Sequence, residues 1–198
     1  MKKTFLILAL GLALNANAVT FQWSSDAQVS FGESLVSALD PNTYTAQLVY
    51  LGTGSNAKWT DVTVTEEGIS LGTGTKVDEP ISSVAGKTGM FASQNSKFSG
   101  TTQHGEASGI YSVLLTYKDK DNKSWFQISS STYTVPATAD ELTTGLASTF
   151  SFSSTKNEVS SGSSVTAGNG WYAAVPEPSV AIMGLLGIGM LIRRRRRA

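Results

Sequence analysis

The chain has one histidine and no cysteine, so few of its residues could carry acid–base or nucleophilic chemistry. His104 lies in the polar stretch from Thr101 to Glu106, where Glu106 could orient it as a base for one of the many serines. Proximity in sequence means little, however, and loops of β proteins are solvated and polar. We therefore expect His104 to be a surface-loop residue. The composition also excludes disulfides, zinc–thiolate sites and metal binding by histidine pairs.

Acidic residues occur in three adjacent pairs, Glu66-Glu67, Asp78-Glu79 and Asp140-Glu141. A glycosidase needs two carboxyl groups about 5 to 10 Å apart across a cleft. Neighbours along one strand point to opposite faces, so a catalytic pair would have to come from different loops. A small carboxylate-dependent hydrolase therefore stays open as an alternative, with no residue assigned to it.

Two segments begin or end like ligand-binding loops without completing the pattern. Gly86-Lys87-Thr88 ends like a P-loop, but Ile81 stands where a glycine is needed five residues earlier. Asp119 to Asn122 begins like a calcium loop, but Lys123 stands where the next ligand should be, and no Gly or Glu completes it. We interpret both segments as turns and assign no catalytic, metal-binding or cofactor-binding residue and no cofactor.

The elements that must position these residues are predicted to be strands. Ile110 to Tyr117 alternates: Tyr111, Val113, Leu115 and Tyr117 share one face, and Ser112 and Thr116 share the other. A charged turn, Lys118 to Lys123, precedes the apolar run Trp125 to Ile128. Two strands joined by a short polar loop predict an antiparallel hairpin.

Further strands follow the same pattern. Thr43 to Leu51 places Tyr44, Ala46, Leu48 and Tyr50 inward and Thr43, Thr45 and Gln47 outward, and Asp61 to Thr65 repeats the alternation with Val62 and Val64. Gly, Ser and Asn clusters separate the strands, which favours an all-β fold, an antiparallel β-sandwich or jelly-roll-like domain. Gly32 to Leu39 and Ala139 to Ala147 are the only candidate helices before the C-terminal tail.

Two glycine-containing strings and an aromatic pair complete the strand prediction. LGTG occurs at Leu51 to Gly54 and at Leu71 to Gly74, which we interpret as similar glycine turns at strand ends. Ser153 to Gly170 has the composition of a flexible stalk, or alternatively contains edge strands around Val159 and Val165. Because adjacent aromatics are costly to leave in water, we favour a last strand at Trp171 to Ala174.

The N-terminus has the layout of a secretory signal peptide, residues 1–18. Lys2 and Lys3 precede an apolar core from Phe5 to Leu14, and Ala16-Asn17-Ala18 forms a small-x-small cleavage site after Ala18. The remaining domain, Val19 to Val175, carries eight lysines against fourteen acidic residues, a net charge near −6. Such a surface disfavours nucleic acid as a partner.

The C-terminal tail, residues 176–198, joins three different segments. Pro176-Glu177-Pro178 interrupts regular structure, Ser179 to Ile192 is uncharged and apolar, and Arg193, Arg194, Arg195, Arg196 and Arg197 follow it. The apolar segment predicts a single transmembrane helix of about 21 Å, short of the roughly 30 Å hydrocarbon core. The arginines are expected to stop transfer and to hold that end on the cytoplasmic side.

This tail resembles the PEP-CTERM sorting signal, over about an eighth of the chain. The resemblance implies a Gram-negative-type envelope, export through the secretory translocon, and removal of the tail by an exosortase-type membrane peptidase. It also implies a link to extracellular polysaccharide. The expected location is the membrane, transiently or permanently, and then the cell surface or extracellular matrix.

For the exported domain we favour a structural or adhesive, non-catalytic role, since a sorting signal is modular and says little about what it delivers. The first alternative is a glycan-binding module with exposed Trp23, Trp59 or Trp125 as the sugar platform. The second is the hydrolase. An exposed aromatic face would favour the glycan-binding module, and a deep acidic cleft would favour the hydrolase.

Overall fold

A computed structural model describes residues 18–26, 29–31, 44–81, 90–92, 97–140 and 142–175 of the chain. Residues 1–17 of the signal peptide and the whole tail, 176–198, lie outside this range, as do the candidate helix at 32–39 and the segment at 86–88. Within the described ranges, no helix could span a bilayer.

Strands form all the regular structure of the described residues. They are β1 Val19–Ser25, β2 Tyr44–Thr53, β3 Thr63–Val64, β4 Ile69–Ser70, β5 Thr75–Ile81, β6 Met90–Ala92, β7 Lys97–Gly105, β8 Gly109–Lys118, β9 Ser124–Ile128, β10 Tyr133–Thr134, β11 Ala147–Phe150, β12 Lys156–Ser160, β13 Ser163–Ser164 and β14 Trp171–Val175. The all-β prediction is confirmed. The candidate helix at Ala139 to Ala147 was wrong: Thr143 closes a turn onto the Asp140 carbonyl, and Leu142 is 80% exposed.

The strands form three sheets. The small sheet has the order β11-β1-β7-β6, and the large sheet has the order β12-β14-β9-β8-β2-β5, with β10 also paired to β8. A third, here called the cover sheet, has the order β13-β3-β4. The predicted hairpin is confirmed as β8 and β9, which pair antiparallel from Leu114↔Ile128 to Lys118↔Ser124.

The sheets are mixed rather than purely antiparallel, which corrects the expected pairing. β1 pairs with β11 in parallel, and β12 pairs with β14 in parallel. A parallel pair needs a crossover connection, and residues 161–170 supply one by placing β13 beside β3 of the cover sheet. Side chains alternate with the same period in parallel and antiparallel strands, so alternation could not distinguish the two arrangements.

The first core fills the space between the small sheet and the large sheet. It contains Phe21 and Trp23 of β1, which are 1% and 3% exposed, and Tyr111 and Leu115 of β8, which are fully buried. The rings of Phe21 and Tyr111 meet edge to face with centroids 5.0 Å apart. Burial of these apolar side chains is the main stabilising term, at about 25 cal/mol per Å² of apolar surface.

A second core lies on the opposite face of the large sheet. Leu114, Ile128 and Val49 pack there with Val62 and Val64, the two valines predicted to face inward. The large sheet is therefore covered on both faces. Gln47 and Ser112 were expected on a polar, outward face, but they are 6% and 0% exposed. Alternation assigned the side chains to the two faces of each strand correctly. It could not show that the cover sheet and its flanking loops bury the second face of the large sheet.

Two local predictions are confirmed. β14 begins at Trp171, which is fully buried, and β12 and β13 precede it, so residues 153–170 carry edge strands rather than a stalk. The two LGTG strings lie at strand ends, where Gly52, Gly54 and Gly72 have positive φ angles. At Gly72, where φ is 57°, a Cβ atom would come within 1.8 Å of the Thr60 carbonyl oxygen, so only glycine fits there.

Candidate functional site

A β-bulge at the edge of the large sheet places Asp78 outside the regular ladder. Between the pairs Ala46↔Ile81 and Leu48↔Val77, β5 has two more residues than β2. Asp78 lies in this bulge and has a left-handed backbone conformation, with φ 59°. The Gln47 side chain fills the resulting gap, because its Nε2 donates to the Val77 carbonyl at 2.7 Å and to the Asp78 carbonyl at 3.2 Å. A buried amide thus holds the bulge open.

The bulge brings Asp78 to the single histidine. His104 Nδ1 contacts Asp78 Oδ1, and the histidine side chain is 71% exposed while that of Asp78 is 25% exposed. His104 belongs to strand β7 of the small sheet, so the surface-loop prediction was wrong, although the side chain does face solvent. Its partner is Asp78 rather than Glu106. The contact joins the edge of the large sheet to the small sheet.

Glu106 instead orders two tyrosines beside this contact. Tyr50 Oη donates to Glu106 Oε2 at 2.7 Å, and the Glu106 backbone N–H donates to Tyr111 Oη at 2.7 Å. Burial, followed by the hydrogen bond to the Glu106 carboxylate, raises the pKa of Tyr50 to about 12. Burial also raises the pKa of Tyr111. Both phenols therefore remain neutral hydrogen-bonding groups throughout the physiological range.

Two cavities share Asp78 and His104 as part of their walls. The first has a volume of about 430 Å³, and its other walls come from Tyr50, Thr75, Lys76, Val77, Glu106 and Tyr111. The second has a volume of about 490 Å³, and its other walls come from Trp23, Glu79, Ile81, Thr101 and Gln103. We call these two cavities together the seam cleft, because they lie where β5 of the large sheet meets β7 of the small sheet.

The chemistry available in the seam cleft is mainly hydrogen bonding. Asp78 and His104 are two of the three residue types in a Ser-His-Asp triad, but none of the described residues that line the cleft is a serine. Among the described residues, no group of three His, Cys, Asp or Glu side chains is placed to hold a metal ion. Three carboxylates, those of Asp78, Glu79 and Glu106, line the cleft together with hydroxyl, amide and ammonium groups.

The other acidic sequence candidates lie apart from the cleft. Glu66 and Glu67 are exposed in the turn between β3 and β4, and Asp140 is exposed in the turn before β11. Asp119 organises the β8–β9 turn: its carboxylate accepts from the Lys123 backbone N–H at 2.9 Å and from Trp125 Nε1 at 2.9 Å. Asp78 and Glu79 line the seam cleft, whereas Glu141 lies outside the described residues.

The proposed tryptophan platform is not formed. Trp23 and Trp125 are 3% and 5% exposed, and Trp59 is half-buried with its Nε1 donating to Ser112 Oγ at 2.8 Å. Instead, Tyr50 is the half-buried aromatic residue of the cleft. Sequence reasoning missed Asp78 as a site residue. Its available signal was Pro80 two residues later, since proline within a strand indicates an edge or a bulge.

Comparison with protein-family models, with curated proteins and with solved structures found no match for this chain. Its function is therefore argued from the fold, the seam cleft and the sequence signals.

Proposed function

We propose that this chain is an exported cell-surface or extracellular-matrix protein whose β domain has a structural or adhesive, non-catalytic role. The secretory translocon exports it, the apolar segment 179–192 holds it at the membrane as a helix, and an exosortase-type peptidase acts near Pro176-Glu177-Pro178. The envelope is of the Gram-negative type. The short apolar segment, with Gly184, Gly187 and Gly189, suits a temporary anchor better than a permanent one.

The observation that carries this proposal is the order of the segments in the tail, in which Pro176-Glu177-Pro178, the uncharged apolar residues 179–192 and five arginines follow one another. β1 begins at Val19, directly after Ala18, and Val19 is fully buried and paired with Gly105. β14, Trp171–Val175, lies between β9 and β12 in the large sheet. Removal of both signals would therefore leave every described strand intact.

Asp78, Glu79 and Glu106 bring three carboxylates to the seam cleft, so the carboxylate-dependent hydrolase remains an alternative to the non-catalytic role. Among the described residues, β12 is an outer strand of the large sheet, and an outer strand can pair with another chain. The edge strand β12 nevertheless carries charged residues, with Glu158 paired to Lys123, which limits uncontrolled edge-to-edge association.

Mass spectrometry of the protein from the envelope and the growth medium of the producing organism tests the proposal. We expect mature molecules that begin at Val19 and lack Arg193 to Arg197. A variant with Pro176-Glu177-Pro178 replaced by three alanines should keep the arginines and stay in the envelope fraction. Thr138→Ala, in an exposed turn of the β domain, is the control for expression and should be processed like the wild type. Intact arginines on all mature wild-type molecules would make this a permanently anchored membrane protein instead.

A further inference from the structure

The residues that line the seam cleft include both hydrogen-bond donors and hydrogen-bond acceptors. Asp78, Glu79 and Glu106 supply carboxylates, while Gln103 and Lys76 supply N–H donors. A sugar hydroxyl donates one hydrogen bond and accepts others, so a polyhydroxylated ligand can use both kinds of group at once. The two cavity volumes fall in the range of about 300 to 1,000 Å³ that is typical of small-molecule sites.

The charge of the cleft limits the class of ligand. Three carboxylates face one lysine and the histidine that is already in contact with Asp78. This excess of acidic groups disfavours phosphates, sulfates and uronic acids, because like charges repel across a partly desolvated site. A neutral sugar suits the cleft, and an amino sugar could add a charge-assisted hydrogen bond.

The cleft also has a fixed aromatic wall. The Tyr50 ring lines the first cavity, its hydroxyl is held by Glu106, and its centroid lies 5.4 Å from that of the buried Tyr111. A ring held on both sides loses little rotamer freedom when a ligand packs against it. Tyrosine combines such an apolar face with a polar end, which suits the mixed surface of a sugar.

From the hydrogen-bonding groups, the charge and the aromatic wall of the seam cleft, we infer that it binds a neutral or amino-substituted oligosaccharide. The inference rests on the proposed function, since it names the class of matrix partner that the β domain would adhere to. It replaces the three-tryptophan platform with a site built on Tyr50, Asp78 and Glu106.

A glycan array followed by titration calorimetry tests this inference on the protein purified from the producing cells, whatever its processing state. Binding then does not depend on whether the tail is removed, so the two proposals can fail separately. We expect retention of neutral or amino oligosaccharides and none of uronic-acid or sulfated ones. The absence of binding to every neutral and amino oligosaccharide would overturn the inference, as would a preference for the anionic glycans.

The decisive variant is Asp78→Asn, because asparagine tolerates the same left-handed backbone while losing the charge. We expect its affinity for the retained sugar to fall at least about tenfold, the effect of losing one charge-assisted hydrogen bond. Asp61→Asn is the matched control, since Asp61 is also left-handed, with φ 55°, and does not line the cleft. Equal affinities of the two variants, with thermal unfolding unchanged in both, would place the sugar elsewhere on the protein.

Discussion

At the scale of single residues, two buried polar side chains connect the layers of the domain. Gln47 holds the β5 bulge that exposes Asp78, and Ser112 lies on the second face of the large sheet. Ser112 Oγ accepts from Trp59 Nε1 at 2.8 Å and shares a hydrogen bond with Ser129 Oγ at 2.8 Å. Each side chain meets hydrogen-bonding groups that would otherwise be buried without a partner, which is why a polar residue is kept there.

Ser112→Ala should therefore destabilise the protein by about 1 to 3 kcal/mol, because it leaves the Trp59 indole without its acceptor in a largely dry layer. Urea unfolding followed by tryptophan fluorescence measures the change. Ser70→Ala, on an exposed position of β4, is the control and should stay within about 0.5 kcal/mol of wild type. Equal midpoints for the two variants would mean that water replaces the serine hydroxyl at no cost.

At the scale of elements, the β8–β9 hairpin is held by its turn as well as by its ladder. Asp119 accepts from the backbone N–H groups of Asp121 and Lys123 and from the Trp125 indole. Burial by itself would raise the pKa of this carboxyl, but the hydrogen bonds from Trp125 and from the two backbone N–H groups outweigh it and lower the pKa. The ionised form is thus the one that organises the turn.

The sign of the pH effect follows from this lowered pKa. A carboxyl with a lower pKa in the folded state contributes stability above its unfolded pKa and loses that contribution as pH falls through the folded pKa. Asp119→Ala should destabilise the protein at neutral pH by about 1 to 3 kcal/mol, and the difference from wild type should shrink below pH 4. Urea unfolding at several pH values measures it, with Asp121→Ala in the same turn as the control. A difference that is independent of pH would show that the carboxylate charge is unimportant.

At the scale of the whole molecule, the large sheet lies between two cores, and most of the tyrosine side chains are at least partly buried. The pKa values of Tyr44, Tyr50, Tyr111, Tyr117 and Tyr133 are all raised, in each case first by burial. A group with a raised folded pKa gives stability that is fully present below its unfolded pKa and is lost as pH rises. For these phenols the loss begins at the ordinary value of 10.0 and, for Tyr50, extends to about 12.

We therefore expect the protein to unfold cooperatively in alkali above pH 10, with tyrosinate absorbance and the loss of far-ultraviolet β signal rising together. The urea-unfolded protein is the reference, and its tyrosines should titrate near pH 10. Complete tyrosine ionisation near pH 10 with the β spectrum unchanged would contradict the burial of these rings.

The sequence by itself determined the local structure of this protein. The hairpin could be predicted from three local features: the alternation in Tyr111 to Tyr117, a charged turn, and the apolar run beginning at Trp125. All three are properties of neighbouring residues. The aromatic pair Trp171-Tyr172 likewise identified the last strand. The two terminal signals also depend only on local composition, and they stay predictions because their residues lie almost wholly outside the described structure.

The tertiary structure alone decided which surfaces are buried and which residues meet. Alternation distinguishes the two faces of a strand but not what covers each face, so Gln47 and Ser112 looked solvent-facing until the cover sheet and its flanking loops were placed. The parallel pairing of β1 with β11 and the contact between Asp78 and His104 join residues that are distant in the chain. Such contacts depend on sheet order and on a bulge, and neither leaves a periodic signal in the sequence.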